Sequence, residues 1–514
     1  MTSLLDILAE ADRLPTVTLD GGDDGGEQPT GPWGLVIGVR AESGRPVVVD
    51  PHARLDPATR EALTGSLETL AEDWKGVAVI VAAPAGSLYD FFTLTALDDA
   101  DPAADATVRL RRAAGSAARA STRVAALTFA LPVDSAAEVR AIIEGALLGG
   151  YSYPGIHRPG ADASTLRTVQ IDVIVGSTQA DDADVTAAIV AARSTRLART
   201  LIDLPPNLLY PSSFAKVAEE LAGAEGLDVH IRDADALRAE GFGGLIGVGQ
   251  GSEHEPALVR VDYVPEAPAR AHLAFVGKGI TYDAGGINLK LSEQDYMNFD
   301  MSGAAAVLAA VLACARLRLP VRVTAWMALA ENVPSGTSQR PSDVITLFDG
   351  TTVEVRDTDA EGRLVLADAI VAATAEHPDI VVDIATLTGA QQIGLGDRVS
   401  ALMANDDNLA HDLAGLATSA DERVWRMPLT VDLAEGLRSR VADIANKADR
   451  PGGMLTAALF LEHFVSRAEH VPRWAHLDIC GPAINRKKPY GFTPLGGTGV
   501  GGRTLLALAQ HVSG

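Results

Sequence analysis

A chain of 514 residues, 47% hydrophobic and 21% charged, has apolar material for two or three buried cores and is not a disordered polymer. Its 67 acidic against 43 basic side chains give a formal net charge of −24, which argues against a nucleic-acid phosphate partner over most of the surface. Two cysteines, Cys314 and Cys480, exclude a disulfide framework and a thiolate metal site.

Met1–Leu14 carries acids where a signal peptide needs a basic stretch and an apolar block. The longest uncharged run, Met301–Ala315, is too short to span a bilayer. A cytoplasmic protein with no membrane partner is expected, with both cysteines in its core.

The first part of the chain has strand-like runs at 34–39, 76–82, 123–130 and 168–175, with alanine-rich helical runs at 102–120 and 136–148. That alternation predicts an α/β domain with a largely parallel sheet over residues 1–182. Gly21–Gly31 is expected to be a mobile loop. No constellation here carries chemistry; His157, beside Tyr151 and Tyr153, reads as a surface or packing residue. Arg109, Arg111, Arg112, Arg119 and Arg123 read as a helix face, with a local basic groove as the alternative.

A helix over 183–204 is expected to connect this domain to a second one, 205–514, and to stop before Pro205-Pro206. A second α/β unit follows: helix 212–224, strand 227–232, a glycine-rich turn at 241–251, and strands 257–264 and 271–276. The last strand runs into Gly277-Lys278-Gly279-Ile280-Thr281-Tyr282-Asp283-Ala284-Gly285-Gly286, expected as irregular backbone at a strand end. Lys290 and Asp300 come next, before a helix of small residues. Asp300 also reads as the N-cap of that helix, and Lys278 with Asp283 as a surface ion pair.

The segment Asp357-Thr358-Asp359-Ala360-Glu361-Gly362-Arg363-Leu364 lies between the strand-like run 351–355 and a helical run 364–371. If extended, a period of two puts Asp359, Glu361 and Arg363 on one face, at the end of a strand where open α/β sheets place ligands. Thr358-x-x-Glu361 is also a capping box. A phosphate loop, an H-E-x-x-H helix and a G-x-S-x-G elbow are absent. Gly497, Gly499 and Gly502 fit G-x-G-x-x-G, but about twelve residues remain after them, too few for the βαβ unit that motif requires.

Taken together, residues 277–286 and 357–364 resemble the leucine aminopeptidases, the M17 family of cytosolic metallo-aminopeptidases. Residues 357–364 match the family pattern Asn-Thr-Asp-Ala-Glu-Gly-Arg-Leu except at the first position. Residues 331–336, 340–344, 383–390 and 496–499 continue the likeness in order, as does the junction from Leu197 to Asn207.

The resemblance implies an N-terminal macro-like α/β domain and a C-terminal metallopeptidase domain with a central mixed sheet flanked by helices. It implies two divalent ions, Mn²⁺ or Zn²⁺, held by Lys278, Asp283, Asp300, Asp359 and Glu361. Lys290 and Arg363 would be the catalytic pair, with a bicarbonate held at Arg363. Met297, Thr386 and Leu387 would border the substrate. Peptides losing an N-terminal leucine or other apolar residue, and a homohexamer, are further implications.

Four crowded carboxylates need cations. A lysine ligates only when neutral, which costs about 4.6 kcal/mol at pH 7 at about 1.36 kcal/mol per unit. Against the pattern, Asp357 replaces an asparagine, Ser302 replaces a glycine, and the span from Lys290 to Asp300 is one residue shorter. A catalytically silent family member, or a nucleotide- or nucleic-acid-binding regulator acting through the first domain, are the competing readings.

Overall fold

The computed structural model describes residues 3–20, 30–70, 78–98, 104–121, 124–157 and 168–514. Most of the Gly21–Gly31 loop, Gly76 and Val77 of the second strand-like run, residues 102–103 and Arg123 lie outside them. The chain forms two compact units: Met1–Arg196 with Arg486–Leu495, and Leu197–Asn485 with Gly496–Gly514.

The first unit has strands β1 (Thr16–Asp20), β2 (Trp33–Glu42), β3 (Arg45–Val49), β4 (Ala78–Ala82), β5 (Phe91–Ala96), β6 (Ala126–Ala130) and β7 (Gln170–Ile174). Their order is β1-β7-β6-β2-β5-β4, with β3 beside β2; the pairs are parallel except β2–β3 and β4–β5. Helices are α1 (Leu4–Ala11), α2 (Pro57–Glu68), α3 (Ala106–Ala120) and α4 (Ala136–Gly149). Strand alternation buries both faces: Val36 joins a core with α3 and α4, while Leu35 and Ile37 join one with Leu63 and Leu67 of α2.

In α3, Arg111 is buried and paired with Glu144 of α4 at 2.8 Å, and the Arg119 guanidinium donates to the Gly491 carbonyl. Those two arginines serve packing within the unit, as a helix face would. His157 is exposed.

The expected connecting helix is α5 (Asp182–Asp203), ending ahead of Pro205. Then come α6 (Pro211–Ala224), β8 (Asp228–Arg232), α7 (Ala234–Glu240), α8 (Gly243–Gly249), β9 (Ala257–Tyr263), β10 (His272–Asp283), α9 (Ser302–Arg316) and β11 (Arg322–Asn332). The chain continues through β12 (Val344–Thr346), β13 (Thr352–Glu354), α10 (Gly362–Thr374), β14 (Ile380–Ala385), α11 (Gly389–Leu395), β15 (Ser400–Ala404), α12 (Asp407–Ser419) and β16 (Val424–Arg426). It closes with β17 (Ile444–Ala445), α13 (Gly453–Val465), β18 (Arg473–Asp478) and α14 (Gly502–Ser513).

The main sheet is mixed, in the order β16-β15-β18-β14-β10-β11-β9-β8, with β18, β14, β10 and β11 mutually parallel. Ala274, Val276 and Ile280 of β10 enter the core shared with α8, α10 and α13. The opposite face of β10 meets α9, where a Cβ on Gly277 would strike the Gly303 carbonyl at 2.5 Å. Helices therefore cover both faces of β10, and the fold class is α/β, as expected. Gln294–Arg316 is long and apolar enough to cross a membrane by length and composition alone, but 94% of that window is buried in the core.

Four local expectations need correction. The glycine-rich stretch expected as a turn at 241–251 contains α8, because missing side chains let the helix approach β12 closely: a Cβ on Gly243 would lie 1.9 Å from the Thr346 carbonyl oxygen. The strand expected at 271–276 runs on to Asp283, held by pairing with β11 as far as Asn332 across an irregularity at Ile280–Tyr282. The segment 357–363 is not extended; it turns at Thr358-Asp359 and enters α10 at Gly362, so period two does not align Asp359, Glu361 and Arg363. Cys314 is in the core, but Cys480 is only half-buried.

Candidate active site

Four segments converge along the C-terminal half of β10 and at the C-terminal end of β14. β10 supplies Lys278 and Asp283, the 3₁₀ turn Gln294–Met301 supplies Asp300, the turn before α10 supplies Asp359 and Glu361, and the loop after β14 supplies Thr386. Lys278 Nζ lies 2.8 Å from Asp300 Oδ2, 2.8 Å from Glu361 Oε1 and 3.0 Å from the Thr386 carbonyl. Lys290 Nζ lies 2.8 Å from Asp283 Oδ2 and also pairs with Asp359. One carboxylate oxygen each from Asp283, Asp359 and Glu361 fall within 4.8 Å of one another.

The bland alternatives are not realised. Glu361 is the N-cap residue of α10, yet its side chain makes no capping bond; Thr358 instead donates to the Gly285 carbonyl at 2.7 Å. The N-cap of α9 is Met301, and Asp300 Oδ1 accepts from Thr386 Oγ1 at 2.7 Å. Lys278 and Asp283 are both buried and pair with other residues, not with each other at the surface.

The electrostatics follow from burial. Desolvation pushes the Asp300 carboxyl up to about 8 against the pull of Lys278, and Asp359 up to about 7 with Glu361 and Asp283 adding to the effect. Asp283 is also raised by burial and by Glu361. Glu361 alone is lowered: burial opposes its charge, but Lys278 and Lys290 outweigh it. Burial likewise opposes charge on both lysines, yet the surrounding carboxylates hold each ammonium above its ordinary range.

The donor set fits divalent cations. Buried Glu361 Oε2 has no hydrogen-bond partner among the described residues, and an orphaned carboxylate oxygen on a residue grouped with Asp283 and Asp359 suits a hard ion.

Arg363 sits in the first turn of α10, buried. Its Nη1 donates to the Asn446 carbonyl at 2.9 Å, and its Nε has no partner among the described residues. Burial pushes this guanidinium down to about 10, against Glu361, Asp357 and Asp478. Met297 is buried in the 3₁₀ turn; Thr386 is buried and Leu387 half-buried in the loop after β14.

Sequence reasoning missed three supporting residues. Asn332, at the end of β11, donates to Asp283 Oδ1 at 2.8 Å and to the Thr358 carbonyl at 2.9 Å. Asn446 donates to the Asp357 carbonyl at 2.7 Å while its own carbonyl receives Arg363. Asp478 accepts from Thr388 Oγ1 at 2.7 Å and from the Leu387 amide at 3.2 Å. Only Asn332, inside the run 331–336, carried a signal.

Residues 196–506 match the catalytic domain of the cytosol aminopeptidase family, Peptidase M17. The chain belongs to the cytosol aminopeptidase family. A probable cytosol aminopeptidase of Streptomyces avermitilis is 45% identical over 497 residues, covering 94% of each chain. One of Micrococcus luteus is 46% identical, covering 93% of this chain and 95% of the relative.

The solved structure of the bottromycin maturation enzyme BotP in complex with Mn superposes with a TM-score of 0.80 at 35% identity, covering 94% of this chain and 99% of that one. The fold and the aminopeptidase class of peptide hydrolase are thereby shared, in a metal-dependent family.

Two departures of this M17 chain are absorbed locally. Ser302 is buried and its hydroxyl donates to the Phe299 carbonyl. Despite the shorter span after Lys290, Asp300 still reaches Lys278.

Proposed function

We propose that this chain is a dinuclear metal-dependent aminopeptidase that removes N-terminal leucine and other, mostly apolar, residues from peptides. The observation that carries this reading is the convergence of four carboxylates and a buried lysine amine, with Glu361 Oε2 lacking a hydrogen-bond partner among the described residues. Lys278, Asp283, Asp300, Asp359 and Glu361 would hold two divalent ions, Mn²⁺ or Zn²⁺. Bound there, the ions supply Lewis-acid activation of the peptide carbonyl and of water, and a bicarbonate at Arg363 supplies a general base.

The residues of the chain divide the remaining work. Lys278 binds through its amine, so loading must remove a proton that the carboxylates now hold, and affinity falls as pH drops. Lys290, one-fifth exposed at the edge of the cluster, donates to the oxyanion that forms when water adds to the carbonyl. The buried Arg363, whose Nε–H has no acceptor among the described residues, orients the anionic base. Met297 and Leu387 offer apolar surface to the N-terminal side chain, while Thr386 fixes Asp300. One methylene in such a pocket changes discrimination by about 1–3 kcal/mol.

The relatives' name supports a cytoplasmic location, and family membership supports a homohexamer; a monomer mass in dilute solution would count against the latter. The decisive assay is hydrolysis of leucine p-nitroanilide by chelator-stripped protein re-supplied with Mn²⁺ or Zn²⁺, beside Glu361→Gln. Metal-restored release absent in the variant supports the reading. Folded protein without turnover on several aminoacyl substrates, whatever the metal, sinks it.

A further inference from the structure

At the opposite end of the main sheet, a second group of metal-ligating side chains lies outside the carboxylate cluster. His377 belongs to the loop between α10 and β14, and Glu469 and His470 to the loop between α13 and β18. β14 and β18 are parallel neighbours in which Ile380 is registered with Arg473. His377 and His470 each stand three residues before that registered pair, so the sheet itself brings the two loops together. The imidazole rings lie 4.5 Å apart between centroids, inclined at 52°. One ligand atom from each of His377, Glu469 and His470 falls within 4.8 Å of the others, and all three residues are exposed.

The loop carrying His377 is anchored on both sides. The His377 amide donates to the Thr374 carbonyl at 3.0 Å. Asp379, two residues on, accepts the His272 amide at 2.8 Å and donates its own amide to the His272 carbonyl at 2.9 Å. His377 itself has φ +52°, a left-handed conformation that a non-glycine residue adopts at a cost. The ring is thus presented from a fixed backbone toward His470, while Glu469 supplies a negative charge.

We propose that His377, Glu469 and His470 form a surface site for a borderline transition-metal ion such as Zn²⁺, separate from the carboxylate cluster. Two imidazoles and one carboxylate favour Zn²⁺, Ni²⁺ or Cu²⁺ over Mg²⁺ or Ca²⁺, which take all-oxygen sites. Ligand atoms each about 2.1 Å from one ion stand up to about 4 Å apart, so small side-chain rotations close the site. Exposure leaves the remaining coordination positions to water. The six residues of β14, at about 3.3 Å each, put this ion about 20 Å from the carboxylate cluster.

The test is zinc content per chain by elemental mass spectrometry after dialysis of the full-length protein against buffered Zn²⁺. Wild type is compared with His377→Asn/His470→Gln, where asparagine tolerates the left-handed backbone, and with Glu469→Gln. Wild type should hold one zinc more per chain than the double variant, with equal aminopeptidase activity, and Glu469→Gln should weaken that extra ion about tenfold or more. Equal zinc content in wild type and double variant overturns the proposal. Loss of the ion together with activity also overturns it, because the ion would then belong to the carboxylate cluster.

Discussion

Lys447 forms an ion pair with Asp357, whose other carboxylate oxygen accepts the Asp359 amide at 2.9 Å. The acid that stands where the family pattern has asparagine is therefore neutralised, and it braces the turn that carries Asp359. The half-exposed pair itself is worth about 0–1 kcal/mol, whereas the amide it caps loses its acceptor if the side chain is cut back. Lys447→Ala should cost under about 1 kcal/mol in urea denaturation. Asp357→Ala should cost about 1–2 kcal/mol and lower kcat/KM several-fold. Asp357→Asn, which keeps an acceptor, should stay near wild type on both measures.

Gly362 leaves room for Lys278. A Cβ at this position would lie 2.7 Å from Cε and 2.8 Å from Nζ of that lysine, whose amine is held by Asp300, Glu361 and Thr386. Gly362→Ala should push the amine out of its place. An activity loss of about 100-fold or more is expected, with destabilisation limited to about 1–3 kcal/mol. A thermal melt and leucine p-nitroanilide kinetics on the same sample separate the two effects; unchanged kcat/KM would mean the lysine need not sit there.

Asp478 is a positioning residue. Fully buried at the end of β18, it accepts from Thr388 Oγ1, the amides of Leu387 and Thr388, and the Cys480 amide, and so fixes the loop whose Thr386 carbonyl receives Lys278. Asp478→Ala leaves several buried donors unpaired, so a loss of about 3 kcal/mol or more is expected. Asp478→Asn keeps the shape and should recover most of the stability. If the loop matters for substrate, KM for apolar N-terminal residues should still rise in that variant.

His272, at the start of β10, is held neutral: burial, with help from nearby Arg322, pushes its imidazole down to about 4, against Asp262 and Asp379. The unfolded chain binds this proton near its ordinary pKa of about 6.5, so between those values the unfolded state carries more protons. Stability contributed by the neutral ring is present above about pH 6.5 and lost as pH falls toward 4. His272→Gln should flatten the pH dependence of the unfolding free energy across that window. A slope identical to wild type would show that the ring does not set it.

The sequence made the acidic centre legible because Lys278, Asp283, Asp359 and Glu361 lie in two short runs whose residue types suit metal chemistry, with Asp300 a little after the first. What it could not show was how they come together. Alternation along 359–363 suggested one face of a strand, but Gly362 and Arg363 already belong to a helix, and Glu361 meets Lys278 through a turn. Glycines at 243–249 suggested a turn because propensity ignores the close approach to β12 that makes them useful in a helix. Asn446 holds Arg363 from 83 residues away, a long-range pairing no local pattern carries.

Glu361, Gly362 and Arg363 open a helix whose next ten residues are almost all buried among apolar neighbours. Ile287, Leu289 and Leu291, flanking Lys290, are by contrast exposed. Glu361 and Arg363 are therefore tied to the least forgiving region of the molecule, while the chain on either side of Lys290 lies where substitution is cheap.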